Sequence, residues 1–177
     1  MSFHAEVLTL KEWIREVPDF PQPGILFKDI TPLLKNYYAF NSVLKHFASY
    51  YASANIQTIV GIESRGFIFG APLAQLLQCS FVPIRKAGKL PAQKVGVAYS
   101  LHYGTDVIEI HTDAIDHGQR LLIVDDVLAT GGTAKAAIEL VEGLGGTVVS
   151  LAFLIELLFK SGRENIGNYD ICTLLTY

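Results

Sequence analysis

The chain has 177 residues, half of them hydrophobic, with 17 acidic against 14 basic side chains and a formal net charge of −3. That length predicts one domain, residues 1–177, which can bury roughly 70% of its unfolded surface without disulfide or metal staples. The charge balance gives no reason to expect nucleic acid or an anionic membrane as a partner.

Taken in chain order, a helix is predicted around Leu8 to Glu16, then a Pro/Gly-punctuated segment, PDFPQPGILFKDITP, and a second helix around Ala39 to Ser53. Thr58 to Ile62 reads as the first core strand. ESRGF follows it, opening a helix through Gln78 that carries Pro72 as an early kink. Phe81 to Arg85 is a second strand and Lys86 to Gly96 a loop. Ala98 to Tyr103 and Val107 to His111 form an antiparallel pair across Gly104-Thr105-Asp106. Leu121 to Val124 is an unbroken apolar run of the buried parallel-strand type, followed by a helix from about Gly132 to Leu144, a strand from Thr147 and a last strand near Ile171 to Thr176.

Strands alternating with helices imply an α/β fold with a mainly parallel sheet covered on both faces. The run from Val148 to Phe159 is too short to span a bilayer and carries Glu156. The first residues lack the basic and apolar segments of a signal peptide, which makes the cytoplasm the expected location. Cys79 and Cys172 sit in apolar surroundings outside any C-x-x-C pattern, as reduced, buried thiols do. His111, Asp113, Asp116 and His117 lack a spacing that converges metal ligands.

Ligands of such sheets bind beyond the carboxyl ends of the strands, where both ESRG and DDVLATGGT lie. The second segment is neither a Walker A loop nor G-x-G-x-x-G. It places two carboxylates, Asp125 and Asp126, before a loop that opens a helix with its N–H groups free for an anion. A ribose 5-phosphate reconciles the two. Ionised carboxylates only accept hydrogen bonds and suit the two donating hydroxyls of the diol, whereas the loop suits the dianion.

An apolar strand, two acidic residues and a Thr-Gly-Gly-Thr loop resemble the signature of the type I phosphoribosyltransferases. The segments DFPQPGILFKDITPLL, GIESRGFIFG, RKAGKLP, YSLHYG and IELLFKSGRE are similar, in order and over almost the whole chain, to landmarks of the adenine-using branch of that family. The resemblance implies the type I phosphoribosyltransferase fold, a mainly parallel twisted sheet flanked by helices with a small N-terminal hood region. It implies purine salvage: adenine and phosphoribosyl pyrophosphate give AMP and pyrophosphate.

By the same resemblance, Asp125 and Asp126 take the ribose hydroxyls, and Ala129, Thr130, Gly131, Gly132 and Thr133 bind the 5-phosphate. Ser64, Arg65, Arg85, Lys86 and Lys89 hold pyrophosphate, with a non-proline cis peptide at Glu63–Ser64. Leu26, Phe27, Lys28 and Leu157 bind adenine, Phe27 stacking on the ring. His102, Tyr103 and Lys89 take the catalytic positions. His102 stands where the family usually has Glu, the proton partner of adenine N7, so the alternatives are His102 in that role or Tyr103 capping the site alone. Mg²⁺ would be held mainly through substrate and water, and a homodimer would carry Arg85 into the partner's site. Two other functions stay open: a non-catalytic sensor of phosphoribosyl pyrophosphate or a nucleotide, and a 6-oxopurine phosphoribosyltransferase.

Overall fold

Opposite charges face each other across the first strand pair of the computed structural model, which describes residues 9–100 and 104–177. β1 (Arg15–Val17) and β2 (Phe27–Asp29) pair antiparallel, with Arg15 opposite Asp29 and Glu16 opposite Lys28. Both are ion pairs: Arg15 Nη2 lies 2.6 Å from Asp29 Oδ2, and Lys28 bonds Glu16. Unlike charges directly opposed support such a ladder.

The pairing corrects the helix expected from Leu8 to Glu16. Within the described part of that stretch only Thr9 and Leu10 are α-helical, ahead of a 3-10 turn at Lys11–Trp13. Pro18 biases Val17 toward extended backbone, and a partner ten residues further on rewards it. Two helices follow, the short α1 (Thr31–Lys35) and the longer α2 (Tyr37–Tyr51). The second starts two residues earlier than expected because Asn36 caps it, its Oδ1 accepting the Ala39 N–H at 3.0 Å. Residues up to His46 form one compact unit, and Phe47 to Tyr177 a second.

The second unit is built on seven strands: β3 (Thr58–Ile62), β4 (Ser80–Lys86), β5 (Lys94–Ser100), β6 (Thr105–His111), β7 (Arg120–Leu128), β8 (Thr147–Glu156) and β9 (Ile171–Thr176). Their order across the sheet is β5-β6-β4-β3-β7-β8-β9. The five from β4 to β9 through β3 run parallel, and β6 pairs antiparallel with both β4 and β5. Three helices accompany them, α3 (Arg65–Leu77), α4 (Gly132–Gly143) and the short α5 (Gly162–Ile166).

Side chains alternate along a strand, so β3 shows how the sheet is covered. Ile59 and Gly61 meet α3 and Phe81 on one face, where Gly70 approaches Ile59. Val60 and Ile62, on the other, join the buried cluster of Ala134, Ala137, Ile138 and Val141 from α4. The mainly parallel sheet with helices on both faces agrees with the sequence reading. At one end of it, the buried Tyr51 hydroxyl lies 2.8 Å from Ser150 Oγ, and Tyr51 is thereby satisfied in the core.

Several boundaries differ from expectation, each through pairing. β5 starts at Lys94 inside the predicted loop, and Thr105 and Asp106 belong to β6 rather than to the turn, since the ladder runs from Lys94 opposite His111 to Ser100 opposite Thr105. Leu101 to Tyr103 of the predicted strand lie outside the described residues. β7 runs past Val124 to Leu128 because β8 continues beside it as far as Glu156. β8 then stops, and Leu158–Lys160 is a 3-10 turn with Leu158 and Phe159 exposed. Both cysteines are free, but only Cys172 is buried. Cys79 is half-exposed because it follows the left-handed cap at Gln78, on the turn into β4.

Among the described residues no helix is long and apolar enough to cross a membrane.

Candidate active site

β3, β4 and β7 are parallel, so the residues leaving their carboxyl ends gather on one edge. A cavity of about 490 Å³ opens there, lined by Glu63, Ser64, Arg65, Lys86, Lys89, Asp125 and Asp126. A smaller one of about 80 Å³ is lined by Asp125, the segment from Val127 to Ala134, and Phe153. Asp125 borders both. One carboxylate therefore joins a chamber that holds three cations and three carboxylates to a backbone cradle, an arrangement that suits a ligand with a diphosphate, a diol and a phosphate.

The turn after β3 brings the first cation in. The Glu63–Ser64 peptide is cis, as the resemblance implied. A Cβ on Gly66 would lie 2.5 Å from the Val124 carbonyl oxygen, so only glycine lets the start of α3 press this closely on β7. The approach carries Arg65 to Asp126, Nε to Oδ2 2.8 Å, an ion pair without hydrogen-bond alignment.

Glu63 organises the other cations. Its Oε1 accepts from Lys89 Nζ at 2.6 Å, and its Oε2 from the Lys86 N–H at 2.9 Å and Arg85 Nε at 3.2 Å. Burial alone would push this carboxyl up, but Lys89, the Lys86 amide and Arg85 outweigh it and hold the pKa at about 2. Arg85 also donates to the Lys89 carbonyl at 3.1 Å. Lys86 reaches the other way, its Nζ 3.0 Å from Asp106 Oδ2; this partner raises the Lys86 pKa and lowers that of Asp106.

The two acidic residues of β7 behave oppositely to Glu63. Desolvation pushes both pKa values up, and for Asp125 the neighbouring Asp126 charge adds to it. The Asp126 N–H donates to Asp125 Oδ1 at 2.9 Å, which fixes the Asp125 carboxyl. Such a pair gains from any ligand that donates hydrogen bonds to it.

The loop from Ala129 to Thr133 presents no cation to its cradle. Gly131 caps α4 with φ +81°, the left-handed region that glycine adopts freely. The helix of 12 residues starting at Gly132 aims its N-terminal amides and dipole at this spot.

Of the predicted site residues, those for ribose phosphate meet at the two cavities, as do Ser64, Arg65, Lys86 and Lys89. Arg85 is turned toward Glu63. Leu26, Phe27 and Lys28 lie in the first unit: Leu26 is exposed, and the Phe27 ring packs edge to face with Phe20, centroids 5.2 Å apart. Leu157 follows β8 directly, its N–H bonded to the Leu128 carbonyl. His102 and Tyr103 fall outside the described residues. Sequence reasoning missed Glu63 and Asp106 as the anions that position Lys89, Arg85 and Lys86. A carboxylate immediately after a buried strand, among basic neighbours, was the available signal for Glu63.

A family profile described as phosphoribosyl transferase domain matches residues 34–173. The chain belongs to the phosphoribosyltransferase family. Within it, the chain is 57% identical over 168 residues to the adenine phosphoribosyltransferase of Halothermothrix orenii, covering 95% of this chain and 99% of that one. The crystal structure of the adenine phosphoribosyltransferase of Thermoanaerobacter pseudethanolicus superposes with a TM-score of 0.94 at 51% identity, over 97% of this chain and 99% of its own. That of Saccharomyces cerevisiae, complexed with adenine and an imino-altritol bisphosphate, gives 0.91 at 42% identity over 97% and 99%. The architecture is thus the type I phosphoribosyltransferase fold.

Proposed function

We propose that the protein transfers the 5-phosphoribosyl group of phosphoribosyl pyrophosphate to N9 of adenine, giving AMP and pyrophosphate in purine salvage, with residues 1–177 working as one phosphoribosyltransferase domain. The observation that carries this reading is Asp125, with Asp126 beside it, bordering both a chamber that holds Arg65, Lys86 and Lys89 and a backbone phosphate cradle, in a chain whose relatives at over half identity are adenine phosphoribosyltransferases.

Substitution at the anomeric carbon breaks the bond to pyrophosphate, which leaves with the electron pair, and adenine N9 forms the new bond as its proton passes to the released pyrophosphate. Positive charge builds on the sugar ring in between. Asp125 and Asp126 hold the two ribose hydroxyls and place negative charge beneath that ring; Ala129 to Thr133 anchor the 5-phosphate, so the anomeric carbon is held in line. Arg65, Lys86 and Lys89 neutralise the leaving pyrophosphate, and Ser64 hydrogen-bonds it. Phe27 stacks on adenine, Leu26 and Lys28 read its edge by backbone, and Leu157 covers the other face. His102 donates to N7, with Tyr103 beside it. Arg85 leaves Glu63 to serve the partner's pyrophosphate in a homodimer.

Among the described residues no group of three or more His, Cys, Asp or Glu side chains forms a metal cage. The two carboxylates of β7 suit a hard ion that keeps most of its ligands as water and substrate oxygens. Mg²⁺ bound in that way would neutralise diphosphate charge. Two free cysteines fit a reducing compartment, the cytoplasm.

Product formation from phosphoribosyl pyrophosphate with adenine, guanine, hypoxanthine and xanthine tests the reading. AMP alone is expected. Turnover of an oxopurine instead would make the protein a 6-oxopurine transferase, and binding without turnover of any base would make it a sensor. Mixing Arg85→Ala with Asp126→Ala subunits should restore activity in heterodimers; no recovery after demonstrated exchange would remove the shared site.

A further inference from the structure

Asn165 lies behind the phosphate loop, in α5, and lines neither cavity. Its Nδ2 donates to the Thr130 carbonyl at 2.7 Å. A trans peptide is planar, with its C=O and N–H pointing in opposite directions. Anchoring the Thr130 oxygen away from the cradle therefore turns the N–H of Gly131 toward it. Gly131 has no Cβ and sits at φ +81°, so on its side of the peptide the chain does little by itself to prevent rotation.

The surrounding structure holds Asn165 in place. A Cβ on Gly131 would lie 2.5 Å from the Gly162 carbonyl oxygen, and one on Gly162 would lie 2.3 Å from that of Ala129, so the two backbones touch. Arg163, two residues before Asn165, grips the buried Glu156 with both ends of its fork, Nε to Oε1 2.6 Å and Nη2 to Oε2 2.8 Å. Its Nη1 donates to the Ile171 carbonyl at 3.2 Å, and the Thr173 hydroxyl donates to Glu156 at 2.9 Å. Bidentate pairs of this kind fix direction as well as distance. The linkage runs from the sheet edge through Glu156 and Arg163 to α5, and from Asn165 to one peptide of the loop.

We propose that Asn165 is a positioning residue for phosphate recognition, holding the Thr130–Gly131 peptide with the Gly131 N–H aimed at the 5-phosphate. The proposal rests on the phosphoribosyl reading and deepens it. It separates Asn165 from residues that merely stabilise the fold, because its effect is confined to ligands carrying the 5-phosphate.

The test compares dissociation constants of ribose 5-phosphate and of pyrophosphate by calorimetry for wild type, Asn165→Ala and Asn165→Asp, with melting temperatures alongside. Asn165→Ala should weaken ribose 5-phosphate about tenfold and leave pyrophosphate unchanged. Asn165→Asp, which sets an acceptor against the Thr130 oxygen and favours the flipped peptide, should weaken it further. Unchanged ribose 5-phosphate binding in both variants, or equal losses for both ligands, would overturn the proposal. Should neither variant fold, the Gly131 amide resonance of the labelled wild-type protein decides: it should move downfield on adding ribose 5-phosphate, and a stationary signal at saturation overturns the assignment. Wild type that binds no ribose 5-phosphate would instead sink the functional reading itself.

Discussion

Lys89 Nζ lies 2.6 Å from Glu63 Oε1, so the chain supplies its own anion to a cation proposed to hold pyrophosphate. The same carboxylate takes Arg85 and the Lys86 amide. A bound diphosphate competes with Glu63 for these donors. Glu63→Gln keeps the acceptor geometry but removes the charge, and charge-assisted bonds are roughly twice as strong as neutral ones. Pyrophosphate should therefore bind about three- to tenfold more tightly to the variant, with a steeper salt dependence. Calorimetry at two ionic strengths measures this; equal or weaker binding would show that Glu63 does not compete.

The same residue sets an acid limit on stability. Its pKa in the folded chain is about 2, below the ordinary 4.5. A depressed carboxyl contributes stability that is fully present above the unfolded value and is lost as pH falls through the folded one. Wild type should thus exceed Glu63→Gln in urea midpoint at pH 6, and the gap should close between pH 4.5 and about 2. A gap that stays constant over that window would count against the ion-pair account.

Asp125 and Asp126 have raised pKa values, so their sign is the reverse: the folded state holds protons more tightly than the unfolded chain. A ribose diol donates to carboxylates and favours their ionised form, so binding should expel a proton. Ribose 5-phosphate affinity should accordingly rise with pH until the pair is ionised. Heats of binding in buffers of different ionisation enthalpy report the released proton. Asp125→Asn with Asp126→Asn should abolish the release and weaken ribose 5-phosphate and AMP, while the circular-dichroism spectrum stays native.

Two glycines make a matched comparison. A Cβ on Gly162 would meet the Ala129 carbonyl oxygen at 2.3 Å, whereas one on the exposed Gly143, in the last turn of α4, meets nothing within 4 Å. Gly162→Ala must push the loop or α5 aside, at a cost of about 1–3 kcal/mol. Gly143→Ala should instead stabilise by about 0.4–1 kcal/mol, through the unfolded chain. Urea denaturation measures both, and a harmless Gly162→Ala would refute the close backbone contact on which the loop's support rests.

Much of the site was legible along the chain because its chemistry is local. Leu121 to Val124 declares a buried strand, Asp125 and Asp126 follow at once, and Thr130 to Thr133 opens a helix; each signal lies within a few residues of the next. The resemblance added the cis peptide after β3, which the structure contains. Long-range pairing decided the rest. Arg15 to Val17 is a strand because Phe27 to Asp29 offers opposite charges, not because of its own periodicity. β7 continues through both aspartates because β8 extends beside it. Glu63 meets Lys89 across 26 positions, and Asn165 meets Thr130 across 35. Contacts at that separation leave no periodic trace in a sequence, since each end satisfies its own local rules, and only the folded chain brings the two partners together.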